Sequence, residues 1–153
     1  MTIKATDERC AREIMETVPM VMRFIRRELR DQGALFLSVP QLRALVYLDR
    51  CPGTDLSGLA DHLGVTAATA SAVVNRLVQQ GFVNREAHPQ KRRHVVLTLT
   101  RSGSQRLRHV RETAYSMVKN VLADRSASEL QKIMEGIALL GHVFKGVVPR
   151  EDR

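Results

Sequence analysis

Two glycines, Gly64 and Gly81, together with the threonine between them, leave the middle of this chain little choice of fold. Leu56 to Leu63 is a short apolar-periodic run that Thr54 or Asp55 can cap, and Gly64 closes it, because a residue without Cβ suits the left-handed geometry of a helix end. Thr66 then caps a second run that reaches about Gln80 and stops at Gly81. The segment is therefore helix, tight turn, helix. In the second helix Ala70, Val73 or Val74, and Leu77 make the inward stripe. The opposite face holds Thr69, Ala72 and Arg76, flanked by Ala68, Ser71 and Asn75. It has no acid and mostly small side chains, so its backbone can come close to another surface.

Phe82 to Glu86 and His94 to Thr100 read as strands, the second alternating Val95, Leu97 and Leu99 with Val96, Thr98 and Thr100. Ala87-His88-Pro89-Gln90-Lys91-Arg92-Arg93 joins them as a basic hairpin tip. A β-ribbon ending in adjacent arginines, directly after such a helix pair, has the form of a wing that grips phosphate or enters a minor groove.

The charge follows the same division. Residues 1–61 carry nine basic and nine acidic side chains, and residues 112–153 carry six of each. The whole excess of +8 lies between His62 and Arg111, where nine Lys or Arg face the single acid Glu86. A polyanion along that stretch gains from counterion release, while the neutral flanks are left free to associate.

Those flanks are helical. Ile14, Val18, Val21 or Met22, Ile25 and Leu29 recur at three- and four-residue intervals over residues 7–32. Pro19 interrupts them, predicting a kink near Val18 or a fresh start capped by Thr17, with Val18 to Asp31 the firmer stretch. Ser38-Val39-Pro40-Gln41 is a capping box that opens a helix to about Arg50, ended by Cys51-Pro52-Gly53. Beyond Thr100, Leu107, Val110, Ala114, Met117 or Val118, and Val121 trace one long helix. A second capping box, Ser126-Ala127-Ser128-Glu129, precedes Leu130, Ile133, Ile137, Leu140, Phe144 and Val147 on another. Pro149 to Arg153 read as a frayed end. Packing of the terminal helices with each other, and then with a second copy, would bury faces that the central module cannot cover.

In sum the sequence resembles the multiple-antibiotic-resistance regulator (MarR) family of winged helix-turn-helix transcription factors. The resemblance rests on Leu59-Ala60 through Leu63-Gly64-Val65, Val74-Asn75-Arg76-Leu77, Gly81-Phe82-Val83, Arg85, Pro89, Arg92-Arg93, and Leu99-Thr100 with Gly103. It implies a mainly α (α+β) fold, with a DNA-binding region over residues 37–100 and a helical dimerisation region over 5–36 and 101–148. It also implies a homodimer, a recognition helix in the major groove of double-stranded DNA, a wing in the minor groove, and a small anionic or phenolic effector that releases DNA. One departure stands out. Where the family wing usually reads Asp-Pro-x-Asp-Arg-Arg, this chain has His88 and Lys91 in place of the two acids, which removes carboxylates able to orient Arg92 and Arg93.

The expected DNA contacts are Thr66, Ala68, Thr69, Ser71, Ala72, Asn75 and Arg76 on the helix, and His88, Lys91, Arg92 and Arg93 on the wing. The expected dimer contacts are Ile14, Val18, Val21 and Ile25 near the amino terminus, and Ile133, Ile137, Leu140 and Phe144 near the carboxyl terminus. The alternative is a thiol-based redox sensor of the same fold, using Cys10 beside Arg9 and Arg12; its bland counterpart makes Cys10 a small apolar core residue. Cys51, before Pro52, reads as turn packing.

Other classes find less support. No nucleophile motif, glycine-rich phosphate loop, His-x-x-x-His or Cys-x-x-Cys occurs, so the sequence predicts no enzyme, metal or cofactor. Two cysteines make no disulfide framework and no apolar run nears the ~20 residues of a membrane span, which points to a cytoplasmic protein.

Overall fold

A computed structural model describes residues 6–33, 36–88, 90 and 95–147 of the chain. Among these residues six helices and one two-stranded antiparallel sheet follow in the order α1 (Asp7–Asp31), α2 (Val39–Arg50), α3 (Leu56–Leu63), α4 (Ala67–Gln79), β1 (Val83–Ala87), β2 (Val95–Leu99), α5 (Arg101–Leu122) and α6 (Ala127–Lys145). The architecture is the mainly helical, winged helix-turn-helix class that the sequence predicts.

Local chemistry explains most of the helix ends. Ser38 and Gln41 form the reciprocal box, the Ser38 amide donating to Gln41 Oε1 at 2.8 Å and the Gln41 amide to Ser38 Oγ at 3.4 Å. The second box, at Ser126 and Glu129, closes in the same way. There the backbone amide of Ser126, and then its hydroxyl, hold the Glu129 carboxyl below its usual range by bonding its charged form. Gly64 and Gly81 take φ of 68° and 75°, the left-handed region that a side chain would resist.

Two expectations need correction. No new helix starts at Thr17: α1 is one helix of 25 residues with Pro19 inside it. Proline fixes φ near a helical value, and the donor it lacks would have served the carbonyl of Met15, a residue 73% exposed and thus open to water. The strands also shift. Phe82 leaves the ladder because its amide finishes α4, donating to the Leu77 carbonyl at 2.9 Å. Ala87, expected in the hairpin tip, instead pairs with Val95 in β1. Pro89, Lys91 to His94 and the end from Val148 lie outside the described residues.

One core gathers Leu45 and Leu48 of α2, Leu59 and Leu63 of α3, Val74 and Leu77 of α4, Val83 of β1, Leu97 of β2 and Leu107 of α5. Burying so many leucine and valine side chains, at roughly 1.5–3 kcal/mol each, is what holds the helix pair and the ribbon as one unit. Gly53 and Thr54 join the sheet as well: the Gly53 amide donates to the Leu97 carbonyl at 2.9 Å, and the Leu97 amide to that of Thr54 at 2.8 Å. Thr54 is thereby drawn to β2, and Asp55 caps α3, its Oδ1 accepting from the Gly58 amide.

A smaller cluster, Leu29, Val110 and Met117 with Ile25 beside it, ties α1 to α5. α6 is different. It buries no residue at all, although Ile133, Ile137 and Phe144 lie along it.

Candidate nucleic-acid interface

The interface is built on α4. The Thr66 hydroxyl accepts from the Thr69 amide at 3.2 Å and meets the Thr69 hydroxyl at 3.0 Å, starting the helix at Ala67. The first amides of a helix have no carbonyl one turn earlier, so this end offers donors and a partial positive charge to an anion. Loss of that cap is testable: Thr66→Ala is expected to cost about 1 kcal/mol in chemical denaturation, and an unchanged midpoint would argue against a working cap.

Ala70, Val74 and Leu77 are fully buried, which settles the choice between Val73 and Val74 and turns the other face outward. Ala68, Thr69, Ala72, Asn75 and Arg76 are exposed there, with Ser71 half-buried at the edge. All seven residues expected on this helix therefore fall at its start or along one side. A shallow groove of about 230 Å³ runs beside them, between Ser38, Pro40 and Gln41 at the start of α2 and Thr69, Ala72 and Arg76 on α4.

The support behind α4 is polar as well as apolar. The Arg43 guanidinium donates to the carbonyls of His62 at 3.0 Å and Leu63 at 3.4 Å, satisfying the end of α3 where the corner turns. Tyr47 stacks on the His62 ring with centroids 4.3 Å apart. Arg111 of α5 pairs with Asp49 of α2 at 2.7 Å, but both side chains are more than a third exposed, so the pair adds little to stability.

The wing is fastened at its base. Thr100 donates its amide to the Phe82 carbonyl at 3.0 Å and its hydroxyl to the Gly81 carbonyl at 2.6 Å, while its oxygen accepts from the Gly103 amide at 2.9 Å. One residue thus joins the end of α4, the end of β2 and the start of α5. Toward the tip, His88 Nδ1 accepts from the Gln90 amide at 3.1 Å, the kind of local bond that an aspartate makes in a turn. The expected contacts Lys91, Arg92 and Arg93 lie outside the described residues.

Sequence reasoning missed one partnership. Arg85 of β1 donates from Nη1 to Asn75 Oδ1 at 2.8 Å, linking the wing to the outward face of α4. The two residues are ten apart across the Gly81 turn, and no periodicity relates them.

Of the expected dimer contacts, Val18, Val21, Ile133, Ile137 and Phe144 are exposed in the chain, whereas Ile14, Ile25 and Leu140 are half-buried. Cys10 lies exposed on the first turn of α1 and not in the core, and Cys51 is the half-buried C-cap of α2. Arg12, one of the two arginines expected to favour a thiolate, is paired with Glu8 at 3.5 Å. Among the described residues no three His, Cys, Asp or Glu side chains gather as a metal site would need, and no helix is long and apolar enough to cross a membrane.

A capped helix with a small, acid-free outer face, seated on a second helix and followed by a two-stranded wing, defines a winged helix-turn-helix transcription regulator. Residues 37–95, from α2 through β1, match the MarR family model. The chain is 28% identical over 111 residues to YfiV of Bacillus subtilis (strain 168), an uncharacterised HTH-type transcriptional regulator, covering 72% of this chain and 69% of that one. Among solved structures, the transcriptional regulator Tm0710 of Thermotoga maritima superposes with a TM-score of 0.74 at 25% identity, over 91% of this chain and 96% of that one. A variant of MepR from S. aureus, bound to an oligodeoxyribonucleotide, has a TM-score of 0.64 at 17% identity and covers 92% and 99%.

Proposed function

We propose that the protein is a repressor that binds a pseudo-palindromic operator as a homodimer, with α4 in the major groove and the wing in the minor groove. The observation that carries this reading is the acid-free, exposed side of α4 beside a wing that belongs to the only strongly basic third of the chain. Thr66 and the first amides of α4 then meet a phosphate, and Ala68, Thr69, Ser71, Ala72, Asn75 and Arg76 meet base edges or the adjoining backbone. His88 and Lys91 lie near the backbone, and Arg92 or Arg93 enters the minor groove. The oligonucleotide held by MepR is in keeping with this use of the fold.

Support for the dimer comes from α6, which has apolar side chains and, among the described residues, buries none of them within one chain. Ile14, Val18, Val21 and Ile25 of α1, with Ile133, Ile137, Leu140 and Phe144 of α6, form the proposed contact, and two-fold symmetry sets the half-sites about one helical turn apart. Residues 37–100 thus act as the DNA-binding region, and 5–36 with 101–148 as the dimerisation region. A small anionic or phenolic effector releases the DNA in this scheme. Titration of the DNA complex with a hydroxybenzoate tests it by whether bound fragment is set free.

Selection of genomic fragments bound by the purified protein, followed by footprinting, tests the whole reading. Two protected half-sites in inverted repeat are expected, and a single asymmetric one would count against the dimer. Arg93→Ala is expected to weaken binding to specific and random DNA alike and to flatten the salt dependence by ~0.9 in log–log slope, one phosphate's worth. An unaltered slope would argue that Arg93 does not reach DNA.

A further inference from the structure

We propose that Arg85 decides what Asn75 reads: by holding the carboxamide oxygen it leaves Asn75 as a hydrogen-bond donor toward the major groove, which favours guanine over adenine. The proposal rests on the placement of α4 in that groove. A guanidinium has donors only, so the atom 2.8 Å from Arg85 Nη1 is the Asn75 oxygen, and the amide nitrogen occupies the other arm of the carboxamide. No flipped arrangement of the amide would make this bond.

Both ends of the bond are anchored. Asn75 follows Val74 on α4 and precedes Leu77 by two residues, both of them fully buried, so the helix cannot roll to carry Asn75 elsewhere. Arg85 stands opposite Leu97 in the β1–β2 ladder, and Leu97 is also fully buried. The brace therefore joins two rigid elements and needs little ordering when DNA arrives. Both side chains are exposed on the surface proposed to face the groove.

An unbraced asparagine pairs with adenine through two bonds, its oxygen accepting from N6 and its nitrogen donating to N7. With a charged donor already on Oδ1, an adenine amino group would approach the same oxygen beside a guanidinium, donor against donor. Guanine presents only acceptors there, N7 and O6, and these suit the outward NH₂ group. The positive charge of Arg85 favours the same acceptors. Arg85 is thus a positioning residue whose effect is read out through the base that faces Asn75.

Sequence selection from a randomised duplex pool tests this with the full-length wild type, Asn75→Ala and Arg85→Met, the last keeping the stem and removing the donors. Asn75→Ala is expected to relax the preference at one base pair per half-site and so to identify it. At that pair the wild type is expected to prefer G·C over A·T by roughly tenfold, and Arg85→Met to shift the preference toward A·T without lowering the melting temperature. A wild-type preference for A·T there, a selected sequence unchanged by Arg85→Met, or one unchanged by Asn75→Ala overturns the proposal alone. A wild type that enriches no sequence overturns the major-groove reading of α4, and this proposal with it.

Discussion

Gly103→Ala is expected to lower stability by about 3 kcal/mol, which in a chain of this size displaces the melting temperature downward by about 10 °C. A Cβ on Gly103 would overlap the Phe82 carbonyl oxygen and lie 2.9 Å from its carbon, well inside contact distance of backbone atoms. The backbone there cannot give way cheaply. Thr100 bonds to the carbonyls of both Gly81 and Phe82 while accepting the Gly103 amide, so relieving the clash means pulling α5 from the base of the wing. Alanine's better helix propensity, worth about 1 kcal/mol, offsets only part of this. Thermal unfolding followed by circular dichroism measures the effect. A melting temperature equal to the wild type's would mean that α5 and the wing base separate freely. DNA affinity is expected to fall in the same variant, because the base of the wing is also the end of α4.

The double substitution Ile133→Asp with Ile137→Asp is expected to leave a folded monomer whose operator affinity is lower by about a hundredfold or more. The two side chains are 43% and 64% exposed within one chain, so carboxylates there meet water and the monomer tolerates them. In a dimer interface the same carboxylates would be buried without partners, at a cost of several kcal/mol each. Loss of the second DNA-binding region then removes the gain from binding two linked half-sites. Sedimentation equilibrium together with a gel shift on the selected operator reads both effects. A variant that still sediments as a dimer would place the interface away from α6.

These two predictions come from different levels of organisation. Gly103 belongs to the motif on which the family resemblance rests, yet nothing in the sequence tells why a glycine stands there. The reason is a carbonyl contributed from 21 positions earlier in the chain, brought close only when the hairpin folds back. The apolar stripe of α6 could be read directly from its spacing. What could not be read was that the other described elements leave it uncovered.

The same contrast runs through the fold. The caps at Ser38, Thr66 and Ser126 were legible because donor and acceptor are three residues apart, and the close of α3 at Gly64 depends on one residue's own conformation. Asp55 and Thr54 could not be separated that way. Both have a suitable oxygen, and the choice falls to β2, which takes Thr54 into its ladder. Pro19 left two outcomes open in the sequence, and the structure removes one of them: α1 continues through it with no fresh start at Thr17.

For the proposed DNA-binding surface, the sequence by itself determined the helix-turn-helix, the outward stripe of α4 and the confinement of positive charge to the middle third, since these depend on neighbours within one or two helical turns. Only the tertiary structure decided which valine faces inward, how Thr100 and Gly103 lock the wing to α4, and that Arg85 holds the oxygen of Asn75. Hydrogen bonds and steric contacts act over a few ångströms in space, whatever the separation along the chain, and folding alone brings such distant residues within that range.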